Sequence, residues 1–123
     1  FTDSEIKTKA LQRLVWKNNN KLESKIIELF YEFFESTEEN EIQFIPQDIF
    51  NMLGKMFRNH YWTVNDIRKL LKETWKLEPQ NNSLAYIKYD IDYSGSFYQN
   101  NKTGRYFTIK KDFILQKFDE MMN

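Results

Sequence analysis

Several residue types that build catalytic or metal sites are absent or rare in this chain of 123 residues. Without cysteine, neither a disulfide framework nor a thiolate metal site can form. His60 is the only histidine, which excludes a histidine-based metal site and a Ser-His-Asp triad within the chain. The three glycines are scattered and form no phosphate-cradling loop. The sequence therefore predicts a protein that is not an enzyme and that holds no cofactor or metal.

Long apolar runs and a signal-peptide pattern are also missing. No apolar stretch comes near the roughly 20 residues that a membrane span needs, so no membrane partner is expected. The lack of cysteine fits an intracellular protein, cytoplasmic or nuclear. The length suits one compact domain with a real core. Because the chain begins at Phe1 rather than at methionine, we expect a fragment of a larger protein.

The chain carries no net charge, since 18 basic and 18 acidic residues cancel. This argues against a pure nucleic-acid-binding domain, for which a pI above about 9 is usual. The charges are nevertheless grouped, with acidic residues concentrated between Glu32 and Glu41. If the groups separate in space, a neutral protein can still carry a basic face. The basic residues form two groups: Lys55, Arg58, Arg68, Lys69, Lys72 and Lys76, and then Lys102, Arg105, Lys110 and Lys111.

The first half of the chain has the apolar spacing that is typical of helices. An N-terminal helix is predicted from about Ser4 to Lys17, within an extension formed by residues 1–20. A second helix is predicted from Lys21 to Glu35. After a short strand over Glu41 to Ile45, Pro46 suits the first turn of a helix that extends to Asn59. The residues expected to be buried are Leu22, Ile26, Leu29, Phe30 and Phe33, followed by Ile49, Phe50, Leu53, Met56 and Phe57.

A basic helix is predicted within the stretch YWTVNDIRKLLKETWK, which spans Tyr61 to Lys76. Thr63 has the chemistry of an N-cap, and Asp66 three residues later can complete a capping box. One face is apolar and can anchor in a core, while the other face presents charge, either to a ligand or only to solvent. The apolar face comprises Ile67, Leu70, Leu71, Thr74 and Trp75, and the polar face Asn65, Arg68, Lys69, Lys72 and Lys76.

After a polar loop the apolar pattern changes from helical to alternating, which predicts strands. The first strand is expected from Ala85 to Tyr93, and a second from Arg105 to Lys110. Ser94 to Gly104 is expected to be the polar tip of the hairpin that the two strands form. A last helix is predicted over Lys111 to Met122. Its core residues would be Phe113, Ile114, the aliphatic stem of Lys117, Phe118 and Met121.

With this order of elements, the chain from Lys21 onward resembles a winged-helix domain. The resemblance rests on TVNDIRKLLKETW at the position of the recognition helix and on YIKYDIDY…GRYFTIKK as the hairpin, or wing. It implies an α+β winged helix-turn-helix fold over residues 21–123, with extra N-terminal and C-terminal helices. It also implies a module of a replication or regulatory protein that binds nucleic acid, DNA before RNA. The residues that would contact nucleic acid are Asn65, Arg68, Lys69, Lys72, Lys76, Lys102 and Arg105.

The same features leave a protein-binding function open. Winged-helix domains also serve in protein–protein assembly, and the neutral net charge favours that use. Phe97 and Tyr98 on the wing, or the N-terminal helix, would then form the docking surface. The aromatic wing could also stack on unpaired bases. Asp66 and Glu73 beside the basic face would oppose phosphate unless their side chains turn away.

A third alternative is a degenerate calcium-binding loop of the EF-hand type. Asp90, Asp92, Ser94 and Gly95 match the first half of such a loop. Position 12 would be Asn101, which cannot supply the bidentate carboxylate, and the residues before Asp90 alternate as a strand rather than a helix. A polar hairpin turn is the simpler interpretation.

Overall fold

The computed structural model describes residues 22–57 and 62–122 of the chain. The N-terminal helix predicted over Ser4 to Lys17 and the single histidine, His60, lie outside the described residues. Within them, the chain forms an α+β fold with four helices and two small antiparallel sheets. No helix in this part of the chain has both the length and the apolar character to cross a membrane.

The central helix, α1 (Leu22–Ser36), begins and ends within one residue of its predicted bounds. It is apolar on more than the one predicted face, because the last helix, α4 (Lys111–Met122), packs along it. The rings of Tyr31 and Phe118 stack across this contact, with centroids 4.3 Å apart. A helix covered on two sides must be hydrophobic on both. Its fully buried apolar residues are Ile26, Ile27, Leu29, Phe30, Phe33 and Phe34.

The second helix, α2 (Pro46–Met56), begins at proline as predicted and ends three residues before the predicted Asn59. Proline suits the first helical position because its fixed φ matches the helix and its missing N–H is not needed there. The Asp48 carboxylate then accepts a hydrogen bond from the Ile45 N–H (3.0 Å) just before the helix. Ile49, Met52 and Leu53 are buried on the inner face, and Phe50, Met56 and Phe57 are half-buried against the core.

Four strands form two antiparallel pairs. Strand β1 (Glu41–Phe44) pairs with β4 (Phe107–Lys110), and Ile42 lies opposite Ile109. Strand β2 (Leu84–Ile91) pairs with β3 (Phe97–Gly104), from Leu84 opposite Gly104 to Ile91 opposite Phe97. We call the β2–β3 pair the ribbon. Only Arg105 and Tyr106 separate β3 from β4, so one stretch of chain pairs first with β2 and then with β1.

The predicted hairpin is therefore wrong in its pairing. The stretch from Ser94 to Gly104, expected to be a polar tip, is mostly strand β3, and the tip is the short turn at 92–96. The second predicted strand pairs instead with β1. Strand β3 was missed because most of its residues are exposed, so no alternation of apolar and polar residues marks it.

Strand β2 alternates only in part. Tyr89 and Ile91 are buried, with Tyr89 packed edge-to-face on Phe33 of α1. Ile87, at the other end of the same face, is 44% exposed, and Tyr93 beyond the strand is 90% exposed. The ribbon is thus anchored to the core near its tip. The face that carries Ile87, Tyr89 and Ile91 is open to solvent toward the ribbon root at Leu84 and Gly104.

Candidate functional site

The basic helix, α3 (Val64–Lys69), is capped as predicted. The Thr63 N–H donates to the Asp66 carboxylate (2.8 Å), and the Asp66 N–H donates to the Thr63 hydroxyl (3.2 Å). This reciprocal arrangement satisfies two N–H groups that a helix start otherwise leaves free. It also occupies the Asp66 carboxylate, which is turned to the cap.

The last turn of the basic segment, Leu70–Thr74, is a π-helical turn rather than a continuation of α3. The Trp75 N–H donates to the Leu70 carbonyl (3.0 Å), five residues back. Ile67, Leu71 and Trp75 are buried as predicted, but Thr74 is exposed, because the wider turn moves it off the apolar face. The Trp75 indole N–H donates to Glu23 of α1 (2.8 Å), which fixes this end of the helix to the core.

A groove of about 440 Å³ opens where the start of α2, the basic segment and the ribbon root meet. Three cationic side chains line it: Arg68 and Lys72 from the basic segment, and Arg105 from the link between β3 and β4. None of the three forms an ion pair within residues 22–57 and 62–122. We call it the basic groove; its other lining residues are Ile45, Pro46, Gln47, Val64, Pro79, Gly104 and Phe107.

The groove combines positive charge, without an ion-pair partner among the described residues, with several apolar lining residues. No carboxylate is among the described residues that line it. Arg68, Lys72 and Arg105 are all exposed, so a ligand can reach them. Such a site favours an anion that also has a flat or apolar part, since guanidinium and ammonium groups pair with phosphate or carboxylate oxygens.

The other predicted contact residues lie outside the groove lining. Asn65 and Lys69 are exposed on α3, where they could meet only a ligand that extends beyond the groove. Lys76 follows the helix and has a left-handed backbone (φ 54°), and the Leu77 N–H after it donates to the Leu71 carbonyl (2.8 Å). This is the geometry of a helix C-cap, so the backbone of Lys76 has a structural role.

Gln80 holds the backbone on both sides of Arg105. Its side-chain amide donates to the Gly104 carbonyl (2.8 Å), and its main-chain N–H donates to the Tyr106 carbonyl (3.0 Å). The link between β3 and β4 is thereby fixed although Arg105 itself is exposed. Sequence reasoning missed Gln80, which lies in a polar loop and carries no periodic signal.

Lys102 does not point into the basic groove. Its Nζ lies 3.4 Å from the carboxylate of Asp48, which is 1% exposed. The same carboxylate accepts a hydrogen bond from the Tyr86 hydroxyl (2.9 Å), and the Nζ of Lys88 lies 3.7 Å away. Burial and the hydrogen bond to Asp48 raise the pKa of Tyr86 above its usual value. These contacts fasten the ribbon to the start of α2, and we call them the Asp48 cluster.

The acidic residues that match the start of a calcium loop have other partners. Asp90 is paired with Lys55 (3.4 Å) on α2, and Asp92 accepts hydrogen bonds from the N–H groups of Ser94 (2.9 Å) and Ser96 (3.0 Å). The Ser94 hydroxyl also donates to Asp92. This bond has the largest effect, and together with the two N–H donors it lowers the pKa of Asp92. In the described part of the chain, no group of three or more acidic or histidine side chains is placed to hold a metal ion.

The two aromatic residues proposed from sequence as a docking surface have different environments. Phe97 is half-buried and packs edge-to-face on Phe33 of α1, with ring centroids 5.3 Å apart, so it belongs largely to the core. Tyr98 is 40% exposed, and Tyr93, at the end of the first predicted strand, is 90% exposed. The exposed aromatic surface at the ribbon tip is therefore made of tyrosines.

No protein-family model matches this chain, and no curated protein or solved structure matches it. Any function therefore has to follow from the chemistry of the surfaces described above.

Proposed function

We propose that this chain is a winged-helix module that binds nucleic acid, DNA before RNA, through the basic groove. The observation that carries the proposal is the meeting of Arg68, Lys72 and Arg105 in one groove without a carboxylate among its described lining residues. The two arginines and the lysine come from segments more than 30 positions apart in the chain. A merely solvated helix face would not bring a third cation from the ribbon beside the other two.

The order of elements supports the winged-helix part of the proposal. A helix, a short strand and a second helix precede the capped basic helix, and an antiparallel ribbon follows. The ribbon root adjoins the basic helix, because Gly104 and Arg105 line the same groove as Arg68. A recognition helix beside a wing is the arrangement with which such domains contact a duplex.

The contacts divide by chemistry. Arg68 and Arg105 can each form paired hydrogen bonds with a phosphate or with a guanine edge, whereas Lys72 mainly neutralises phosphate. Asn65 and Lys69 on the exposed surface of α3 extend the contact along the nucleic-acid backbone. Asp66 does not oppose phosphate at the groove, since its carboxylate is engaged at the helix cap.

The test is a titration of short labelled duplex and single-stranded DNA, followed by fluorescence anisotropy at about 50 mM and about 200 mM salt. Three phosphate contacts predict a slope of log K against log salt of about −2.7, hence roughly a 40-fold weaker affinity at the higher salt. The double variant Arg68→Ala with Lys72→Ala should lower the slope to about −0.9.

The matched control is Lys117→Gln, which removes a cation from α4, away from the groove. Its salt slope should equal that of the unmodified chain. Absence of binding at low salt, or an equal loss in the control, would contradict the proposal.

A protein-assembly module is the second candidate, and one observation favours it. Tyr93 and Tyr98 remain exposed at the ribbon tip, at the end opposite the basic groove. Tyrosine is a common anchor of protein interfaces because it buries a large area at a small cost in conformational entropy. The two functions use different surfaces and do not exclude each other.

A further inference from the structure

A second concave site lies at the tip of the ribbon, away from the basic groove. It is a pocket of about 320 Å³ between the end of α1, the end of α2 and the turn at 92–96. We call it the tyrosine pocket; its lining includes Glu32, Ser36, Lys55, Met56, Asp92 and Tyr93. None of these residues lines the basic groove.

The turn that presents Tyr93 is held in one conformation. The Asp92 carboxylate accepts hydrogen bonds from the Ser94 and Ser96 N–H groups, and the Asp92 N–H donates to the Ser96 carbonyl (3.0 Å). Gly95 supplies the positive φ (91°) that the turn requires. Because the backbone of the turn is already ordered, a ligand that binds Tyr93, whose side chain is 90% exposed, has only that side chain to order.

The aromatic surface here already holds a cation. The ammonium group of Lys55 lies 6.0 Å from the ring centre of Tyr93 and 5.9 Å from that of Tyr98. Asp90 pairs with the same ammonium (3.4 Å), which neutralises its charge. Burial alone would lower the pKa of Lys55, but the Asp90 carboxylate and Tyr98 reverse this, so the pKa is raised and Lys55 stays charged. Tyr93 is nevertheless almost fully exposed, so most of its side chain remains open to solvent.

The negative charge at the pocket wall lacks such a partner. Glu32 forms no ion pair within the described part of the chain. Partial burial of the carboxylate and the neighbouring Glu35 carboxylate raise the pKa of Glu32, as expected for an acid without a cationic partner among the described residues. With Asp92 also in the lining, this wall repels phosphate and attracts a cation.

We propose that the tyrosine pocket binds an arginine side chain of a partner protein, with the guanidinium stacked on Tyr93 and paired with Glu32. Arginine suits this site better than lysine because its planar group can stack on a ring and fork onto a carboxylate at the same time. The proposal goes beyond nucleic-acid binding, since it uses the opposite end of the ribbon and a ligand of opposite charge.

The test is a titration of the full 123-residue chain with an arginine–glycine peptide whose ends are blocked, followed by two-dimensional NMR of the backbone amides. Resonances of the turn at 92–96 and of the end of α1 should shift. Tyr93→Ala should weaken binding by about 2- to 30-fold, the range of a cation–π contact. Glu32→Gln should weaken it by about 2- to 5-fold, as for an exposed ion pair. Both residues are exposed, so neither change threatens the fold.

Three controls separate this site from the basic groove and from simple charge attraction. Tyr93→Phe should keep the affinity, and the groove variant Arg68→Ala with Lys72→Ala should keep it as well. The same peptide with neutral citrulline in place of arginine should not bind. Equal binding of the citrulline peptide, or unchanged affinity in both Tyr93→Ala and Glu32→Gln, would overturn the proposal. Pocket resonances that move with single-stranded DNA but not with the arginine peptide would also overturn it and assign the tyrosines to base stacking.

Discussion

At the scale of single residues, Glu28 on α1 is a carboxyl group whose charged form the fold disfavours. Its Oε2 atom is buried and accepts no hydrogen bond within the described structure. Burial raises the pKa of Glu28 from 4.5 to about 7, with Lys25 opposing the shift and Glu32 adding to it. Because the folded pKa lies above the unfolded one, the neutral acid is the form that the fold favours. Stability is therefore greatest below pH 4.5 for this group and falls as the pH rises through about 7.

We expect Glu28→Gln to stabilise the protein at pH 8 and to have little effect at pH 4. The pKa shift alone corresponds to about 3 kcal/mol, but the side chain is only half-buried, so solvent screening reduces the gain to about 1 to 2 kcal/mol. Urea denaturation at the two pH values measures it. Glu38→Gln, an exposed change in the connector after α1, is the control and should leave the unfolding free energy unchanged at both pH values. A gain at pH 4 as large as that at pH 8 would contradict the electrostatic explanation.

Residue identity predicted part of the groove and could not predict the rest. Arg68 and Lys72 are four positions apart on a capped amphipathic helix, and helical periodicity alone places them on one face. Their meeting with Arg105 depends on how the ribbon root packs, which no local pattern encodes. Lys102 looked equivalent to Arg105 in sequence, but Asp48, 54 positions earlier in the chain, draws it away from the groove.

At the scale of elements, the ribbon is attached to α2 chiefly by polar contacts. Tyr86, Lys88 and Lys102 all approach the Asp48 carboxylate, which is almost fully buried at the start of α2. Further along, Lys55 and Asp90 join the same two elements. A buried carboxylate that loses its partners destabilises the fold. The Asp48 carboxylate therefore holds the ribbon in the position where its partners reach it.

We expect Asp48→Asn to lower the unfolding free energy by about 2 to 4 kcal/mol, because the two lysines lose their counter-charge while Tyr86 and the Ile45 N–H compete for one carbonyl oxygen. Denaturant unfolding measures the loss. Hydrogen exchange should show that the substitution accelerates exchange more in β2 and β3 than in α1. Lys102→Gln is the comparison. Its side chain is 33% exposed, so its loss should cost below about 1 kcal/mol. Equal exchange rates in the ribbon before and after Asp48→Asn would mean that the carboxylate does not hold it.

Apolar periodicity and capping residues predicted several helix boundaries correctly. The bounds of α1 and α4 and the Thr63 cap follow from apolar spacing and from capping chemistry, and the structure agrees with them. Strand β3 has the sequence FYQNNKTG, whose asparagines and glycine favour turns. It becomes a strand because it pairs with the edge of β2. This pairing is a tertiary contact that the local sequence does not encode. Polar residues on an exposed edge strand also oppose pairing with other chains and hence aggregation. The polar composition that makes β3 difficult to predict therefore also keeps its edge from aggregating.

At the scale of the whole molecule, a zero net charge hides a separation of charge along the ribbon. The basic groove lies at the ribbon root, and the tyrosine pocket lies at the tip, where Glu32 has no ion-pair partner among residues 22–57 and 62–122. Seven residue steps along β3 separate Gly104 from Phe97, which at about 3.3 Å per residue amounts to roughly 23 Å. The two proposed sites are therefore far enough apart for their ligands, of opposite charge, to be bound at the same time.

We expect the two proposed ligands to bind almost independently at physiological ionic strength. The screening length there is about 8 Å, well below the separation of roughly 23 Å, so saturating short duplex DNA should change the affinity for the arginine peptide by less than about twofold. At an ionic strength of about 0.01 M the screening length rises to about 30 Å, and the fields of the two ligands then reach each other. Peptide titrations with and without DNA at both ionic strengths measure the coupling, and a peptide–DNA mixture without protein corrects for direct association. A tenfold change in affinity at physiological salt would place both ligands on one surface, because screened charges this far apart cannot transmit it.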